Sequence, residues 1–164
     1  RPGEENGIHY HFITAEQFQT MIAAGAFLEY AQVFDNFYGT SKAAVIEQLR
    51  GGRDVILEID WQGARQMRAL FPKAVAIFIL PPSRAVLEKR LRARGQDSDD
   101  TIARRMKDAR ADIAHYLEFD YLLVNDDFGQ AISDLQAIIR ARNLSREVQE
   151  EALRGLLESL LNKL

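Results

Sequence analysis

Residues 55–63 read Val-Ile-Leu-Glu-Ile-Asp-Trp-Gln-Gly, a short apolar run that ends in acids and a glycine. Runs rich in β-branched residues on both faces suit a strand buried within a parallel sheet, because helices cover each side of such a sheet. Val55 to Ile59 is therefore predicted to be an inner strand. Open α/β sheets bind ligands just beyond the carboxyl ends of their strands, which is where Asp60, Trp61, Gln62 and Gly63 fall. Glu58 and Asp60 share one face at strand spacing. Two readings of this acidic pair stand side by side: groups of a ligand site, or caps of the next helix.

The segments around this run extend the same alternation. Gln62 to Leu70 reads as a helix closed by Pro72, and Val75 to Leu80 is a second buried strand ended by Pro81-Pro82. Strand, helix and strand in that order imply a right-handed parallel unit. Tyr121 to Val124 is a third short strand, followed by Asn125-Asp126-Asp127, again polar groups at a strand's end. Upstream, His9 to Ile13 is predicted as a short strand with Tyr10 and Phe12 on one face. Thr14-Ala-Glu-Gln has capping-box spacing before a helix that Gly25 stops. Phe27 to Phe34 alternates as a strand, Asp35-Asn36 marks a turn, and Ser41 caps a helix that ends at Gly51-Gly52.

Downstream, Ser83 caps a long charged helical region from Arg84, interrupted at Gly95-Gln96-Asp97 and resumed from Ser98 or Thr101 towards Tyr116. Phe128 to Arg142 is helical. The tail from Ser145 carries Leu153, Leu156, Leu157, Leu160, Leu161 and Leu164 at amphipathic spacing, a surface on which a second copy of the chain could pack.

At 164 residues and 47% hydrophobic content, the expectation is one compact domain with a core of its own. The formal charge of -3 gives no global attraction to nucleic acid or to an anionic membrane, so any anion site must be local. The absence of cysteine removes disulfides, thiolate zinc sites and cysteine nucleophiles, and a cytoplasmic location is the default expectation. No apolar run approaches membrane-spanning length. The chain opens Arg-Pro-Gly rather than with Met, so an upstream segment is expected.

Arginines gather between Arg84 and Arg110, at positions 84, 90, 92, 94, 104, 105 and 110, with Asp97, Asp99 and Asp100 between the two basic groups. Guanidinium groups grip phosphate oxygens bidentately, so two basic helical segments around a glycine-containing bend could form a clamp for a polyphosphate. A solvated amphipathic helix pair is the plainer alternative. Tyr10, Glu29, Tyr38 and Thr40 lie on strand ends and turns of a small N-terminal lobe, where hydroxyls and a carboxylate could converge on a small polar ligand. A carboxylate can accept two hydrogen bonds from N1 and the exocyclic amino group of guanine, a donor pair that adenine lacks on that edge. Individually, the tyrosines also read as lobe core and Glu29 as a surface residue. His9 and His11 alternate but lack further ligands at suitable spacing for a metal.

With these residues laid out, the chain resembles guanylate kinases of the bacterial type over essentially its whole length. The stretches that carry the resemblance are Arg1-Pro-Gly-Glu with Asn6-Gly7 and Tyr10, Phe27-Leu-Glu-Tyr-Ala, Asn36-Phe-Tyr-Gly-Thr-Ser, Leu57-Glu-Ile-Asp-Trp-Gln-Gly, and Ile79-Leu-Pro-Pro-Ser running to Arg90-Leu-Arg-Ala-Arg-Gly. Arg104-Arg-Met and Val124-Asn-Asp-Asp belong to the same pattern.

The resemblance implies the nucleoside-monophosphate kinase fold of the P-loop NTPase superfamily, a parallel sheet with helices on both faces plus a small GMP-binding lobe and a helical lid. On that pattern residues 1–50 would be the GMP lobe, 51–83 and 117–164 the core, and 84–116 the lid. The implied reaction moves the γ-phosphoryl group of ATP to GMP with Mg²⁺ carried by the nucleotide. Arg1, Tyr10 and Tyr38 would hold the GMP phosphate, Glu29 and Thr40 would read guanine, and Asp60, with Glu58 beside it, would lie near the reacting phosphates. Glu58 stands where the family often has Asp. Arg90, Arg94 and Arg105 would be the lid side chains that neutralise charge, and Asn125 would lie beside the adenine. Such a division of labour fits phosphoryl transfer, in which positioning and charge neutralisation dominate.

The family also has a leading strand and a Gly-rich loop ending Gly-Lys-Ser or Gly-Lys-Thr, a sequence these residues do not contain. The expectation is accordingly an inactive piece of a kinase. Its rival is a non-catalytic module that binds GMP or a phosphorylated peptide, against which the arginines of the lid pattern speak.

Overall fold

The computed structural model describes residues 3–33, 36–93 and 98–162. They fall into two compact units, Arg1–Ala74 and Val75–Leu164.

In the first unit, α1 spans Ala15–Ala23, and its start follows the capping-box spacing. The Thr14 hydroxyl accepts from the Gln17 amide at 3.2 Å, and the Gln17 side chain accepts from the Thr14 amide at 2.9 Å. Two amides that helix geometry would leave orphaned are thereby satisfied. Gly25 ends the helix in the left-handed region at φ 63°. The strands β1 (Phe27–Val33) and β2 (Asn36–Ser41) then pair antiparallel, with Glu29 opposite Thr40 and Ala31 opposite Tyr38. The ladder slips between Phe27 and Glu29, a bulge that lets the successive side chains Leu28 and Glu29 both be buried. Phe18 of α1 packs on the sheet, its ring 4.6 Å from Phe27 and 5.4 Å from Phe37. Gly39 makes room for this cluster, since a Cβ there would stand 2.9 Å from the Phe27 ring. The helices α2 (Lys42–Arg50), capped by Ser41, and α3 (Trp61–Leu70), capped by Asp60, complete the unit.

Two sequence expectations fail here. His9 to Ile13 is not a strand; it holds one isolated bridge, Asn6 to Tyr10. Its backbone is bonded locally instead, with the Phe12 amide donating to Asn6 Oδ1 at 2.8 Å and the His9 amide to the Glu5 carbonyl at 3.1 Å. Val55 to Ile59 is not a strand either. Val55, Leu57 and Ile59 are half-buried while Ile56 is 66% exposed and Glu58 faces outward, so only one face is covered. Apolar composition qualifies a segment for an inner strand, but a strand also needs a hydrogen-bonded neighbour.

In the second unit β3 (Ile77–Leu80) and β4 (Tyr121–Val124) pair in parallel, Ile77 with Tyr121 through Leu80 with Val124. The Asn125 amide extends the ladder onto the Leu80 carbonyl at 2.8 Å. The crossover between them is α4 (Arg84–Ala93) and α5 (Asp99–Ile113), followed by a 3₁₀ turn at Ala114–Glu118. The parallel unit expected of residues 55–80 does not form, because 55–59 is not a strand; the parallel pair is β3 with β4. Ser83 and Ser98 accept from the amides of Val86 and Thr101 and so fix the starts of both helices. Helix α6 (Phe128–Asn143) is capped by Asp127. The predicted single tail is two helices, α7 (Arg146–Ala152) and α8 (Arg154–Leu161), broken at Leu153. Among the described residues no helix is long and apolar enough to cross a membrane.

Candidate active site

The bulged strand puts a carboxylate where a strand would normally put a hydrocarbon. Glu29 is 4% exposed, and its Oε1 accepts a hydrogen bond of 2.5 Å from the Thr40 hydroxyl on the facing strand. Burial pushes the Glu29 pKa above its ordinary value; the Thr40 bond opposes that rise and the nearby Asp60 carboxylate adds to it. The lobe therefore holds a buried acid that is only partly compensated within the protein, the kind of group that binding sites maintain.

Asp60 is tied into α3 as its N-cap, Oδ1 accepting from the Gly63 amide at 2.8 Å, with Gln62 Nε2 3.4 Å from Oδ2. The capping alternative read from the sequence is thus observed for Asp60, while Glu58 lies exposed in the preceding segment. Capping and proximity to Glu29 coexist in the same carboxylate. Tyr10 and Tyr38 meet edge to face with ring centroids 6.0 Å apart, and both are substantially exposed. Tyr38 lies two residues before Thr40 on β2, so the two side chains leave the strand on one face. The first unit alone therefore assembles Tyr10, Glu29, Tyr38, Thr40 and Asp60. Arg1 lies outside the described residues.

In the second unit the structure joins two residues that the sequence left separate. Arg90, on α4, donates from Nη1 to the Asn125 carbonyl oxygen at 2.8 Å, where β4 ends. Arg105 is half-buried on α5. Arg94 lies outside the described residues, as does the Gly95-Gln96-Asp97 bend. Arg92 is bound to Glu88 at 2.9 Å and to Asp99 at 2.5 Å, bridging α4 to the start of α5. Part of the basic charge is therefore neutralised internally.

The sequence reading missed Gln66, whose side-chain amide bonds both backbone groups of Tyr30, accepting from its N–H at 3.2 Å and donating to its carbonyl at 2.8 Å. A glutamine one turn beyond a helix N-terminus carries no sequence signal for such a role; only the docking of α3 on β1 creates it. Among the described residues no three His, Asp or Glu side chains gather into a metal cage.

An α/β chain with a parallel β–helix–β unit and a separate antiparallel lobe holding a buried acid has the parts of a nucleoside-monophosphate kinase. The structure agrees with a crystal structure of guanylate kinase from Anaplasma phagocytophilum at a TM-score of 0.76, with 31% identity over 92% of this chain and 78% of that one. The guanylate kinase family model matches residues 1–142. Guanylate kinases of Nitrosococcus oceani and Vibrio parahaemolyticus are 59% and 56% identical over 98% of this chain, covering 79% and 78% of their own lengths. The chain belongs to the guanylate kinase family, whose reaction is the ATP-dependent phosphorylation of GMP.

Proposed function

We propose that the antiparallel lobe is the GMP site of this family member and that Glu29 is its guanine reader. The observation that carries this reading is the buried Glu29 carboxylate held by Thr40. Its ionised form is costly in isolation and gains two strong partners from the N1 and exocyclic amino groups of guanine. Thr40 orients the carboxylate, and Tyr10 and Tyr38, with Arg1, take the phosphate of GMP. Asp60 stands near the reacting phosphates with Glu58 beside it.

Arg90, Arg94 and Arg105 neutralise charge on the transferring phosphoryl group as lid side chains, and Asn125 borders the adenine of ATP. Mg²⁺ enters with ATP and supplies charge neutralisation when bound. On this reading residues 1–50 form the lobe, 84–116 the lid and the remainder the core, in a cytoplasmic enzyme of purine nucleotide metabolism. The 164 residues contain no Gly-Lys-Ser or Gly-Lys-Thr sequence, so as an isolated polypeptide they are inactive in transfer.

Titration calorimetry with GMP and AMP tests the assignment. GMP binds in preference to AMP, and Glu29→Ala weakens GMP by about 1 to 3 kcal/mol, the cost of leaving a buried donor pair without its acceptor. Equal affinity for the two nucleotides, or a loss near zero in the variant, removes Glu29 from the site.

A further inference from the structure

Helix α3 touches β1 at two places one turn apart, and both bear on Glu29. At Gly63 the contact is steric. A Cβ at that position would lie 2.5 Å from Glu29 Oε2 and 3.1 Å from its carboxyl carbon. Non-bonded atoms do not tolerate the first separation and the second is tight, so the helix approaches the carboxylate this closely only because residue 63 has no side chain. Gly63 is also buried, and its amide is already committed to Asp60. At Gln66 the contact is polar. Its side-chain amide satisfies the N–H and carbonyl of Tyr30, the residue next to Glu29, and so occupies the backbone edge of β1. Residues three apart on a helix share a face, which brings both contacts to bear on the same stretch of strand.

We propose that Gly63 and Gln66 are positioning residues that set the selectivity of the site for guanine by fixing where the Glu29 carboxylate sits. Gln66 fixes the backbone on one side of Glu29, Thr40 fixes one carboxylate oxygen, and Gly63 forms the wall behind the other. The energetic asymmetry makes the role specific. An alanine at 63 also meets Ile59 Cβ at 3.2 Å, which a few tenths of an ångström relieve, but its severe clash is with the far end of the Glu29 side chain, so the larger movement falls on that carboxylate, by a distance on the order of 1 Å. A shift of that size disrupts the paired alignment of acceptor with two donors while leaving the helix and sheet intact. The proposal rests on the reading of Glu29 as the guanine acceptor.

The test measures GMP and AMP affinities of the intact protein by calorimetry for Glu29→Ala, Gly63→Ala, Gln66→Leu and the double variant Glu29→Ala/Gly63→Ala. Gly63→Ala is expected to weaken GMP by about tenfold or more with AMP affinity unchanged, the loss of roughly one charged hydrogen bond. Glu29→Ala should then cost far less in the Gly63→Ala background than in the parent, because both changes act through one carboxylate. Gln66→Leu removes both bonds to Tyr30 and is expected to lower GMP over AMP selectivity in the same direction, so it decides the matter alone if Gly63→Ala does not fold. Selectivity that responds to Glu29→Ala but to neither α3 variant overturns the positioning role and leaves the Glu29 reading intact. Equal loss for GMP and AMP, or additive losses in the double variant, likewise overturns it. Selectivity unmoved by Glu29→Ala overturns the underlying reading and the inference with it.

Discussion

Replacing Thr40 by Val removes the side-chain hydrogen bond to the buried acid and leaves the Thr40 backbone contribution in place. The change keeps the shape of the side chain and removes the hydroxyl that donates to Glu29 Oε1 at 2.5 Å. With Glu29 only 4% exposed, water cannot readily replace the lost donor. A hydrogen bond to a charged group is worth about 1.5 to 3 kcal/mol, and the extra methyl on a half-buried site returns a few tenths at roughly 0.8 kcal/mol per fully buried carbon. The net destabilisation is thus about 1 to 2.5 kcal/mol near neutral pH.

Its pH dependence has a definite sign. Burial raises the Glu29 pKa above 4.5, so the folded state holds its proton to higher pH than the unfolded chain. This residue's contribution to stability therefore falls as pH rises from about 4.5 through the raised value, and is level above it. The Thr40 bond works against that fall because it favours the ionised form. Removing it pushes the Glu29 pKa higher still, and the gap between parent and variant widens with pH. Urea unfolding at about pH 5 and about pH 8 measures both stabilities. A gap that is constant, or larger at the acid end, would refute the argument that Thr40 stabilises a buried carboxylate.

Other perturbations read different parts of the molecule. On the lid assignment proposed above, Arg90→Ala, Arg94→Ala and Arg105→Ala in a form that carries the Gly-rich loop should lower turnover far more than GMP affinity, because their charges would act on the transferring group; a raised KM for GMP with unchanged kcat contradicts this. Asp60→Ala removes the cap of α3 and should cost about 0.5 to 2 kcal/mol in denaturant unfolding, with a loss near zero showing that the cap bond to Gly63 is not formed in solution. Phe18→Ala empties the space between Phe27 and Phe37 and should destabilise by about 3 to 5 kcal/mol; a loss below about 1 kcal/mol would mean that the lobe collapses around the gap.

Local chemistry was legible in the sequence wherever the cause itself is local. The Thr14 capping box, the Ser41 and Ser83 caps and the stop at Gly25 depend on groups within four residues of one another, and each lies where the pattern placed it. The family was legible too, because order and separation of several short stretches survive without any knowledge of contacts. What failed were the two strands whose definition needs a partner. Residues 9–13 and 55–59 have strand-forming composition, yet one bonds its backbone to Asn6 and Glu5 and the other is covered on a single face. The site divides in the same way. The sequence alone supplied Glu29, Thr40, Tyr10, Tyr38 and Asp60 as candidates, since residue type and motif determine what a side chain can do. Only tertiary structure buried Glu29 through a bulge, set Thr40 opposite it and brought Gly63 against its carboxylate, because burial and distance are properties of pairs far apart in the chain.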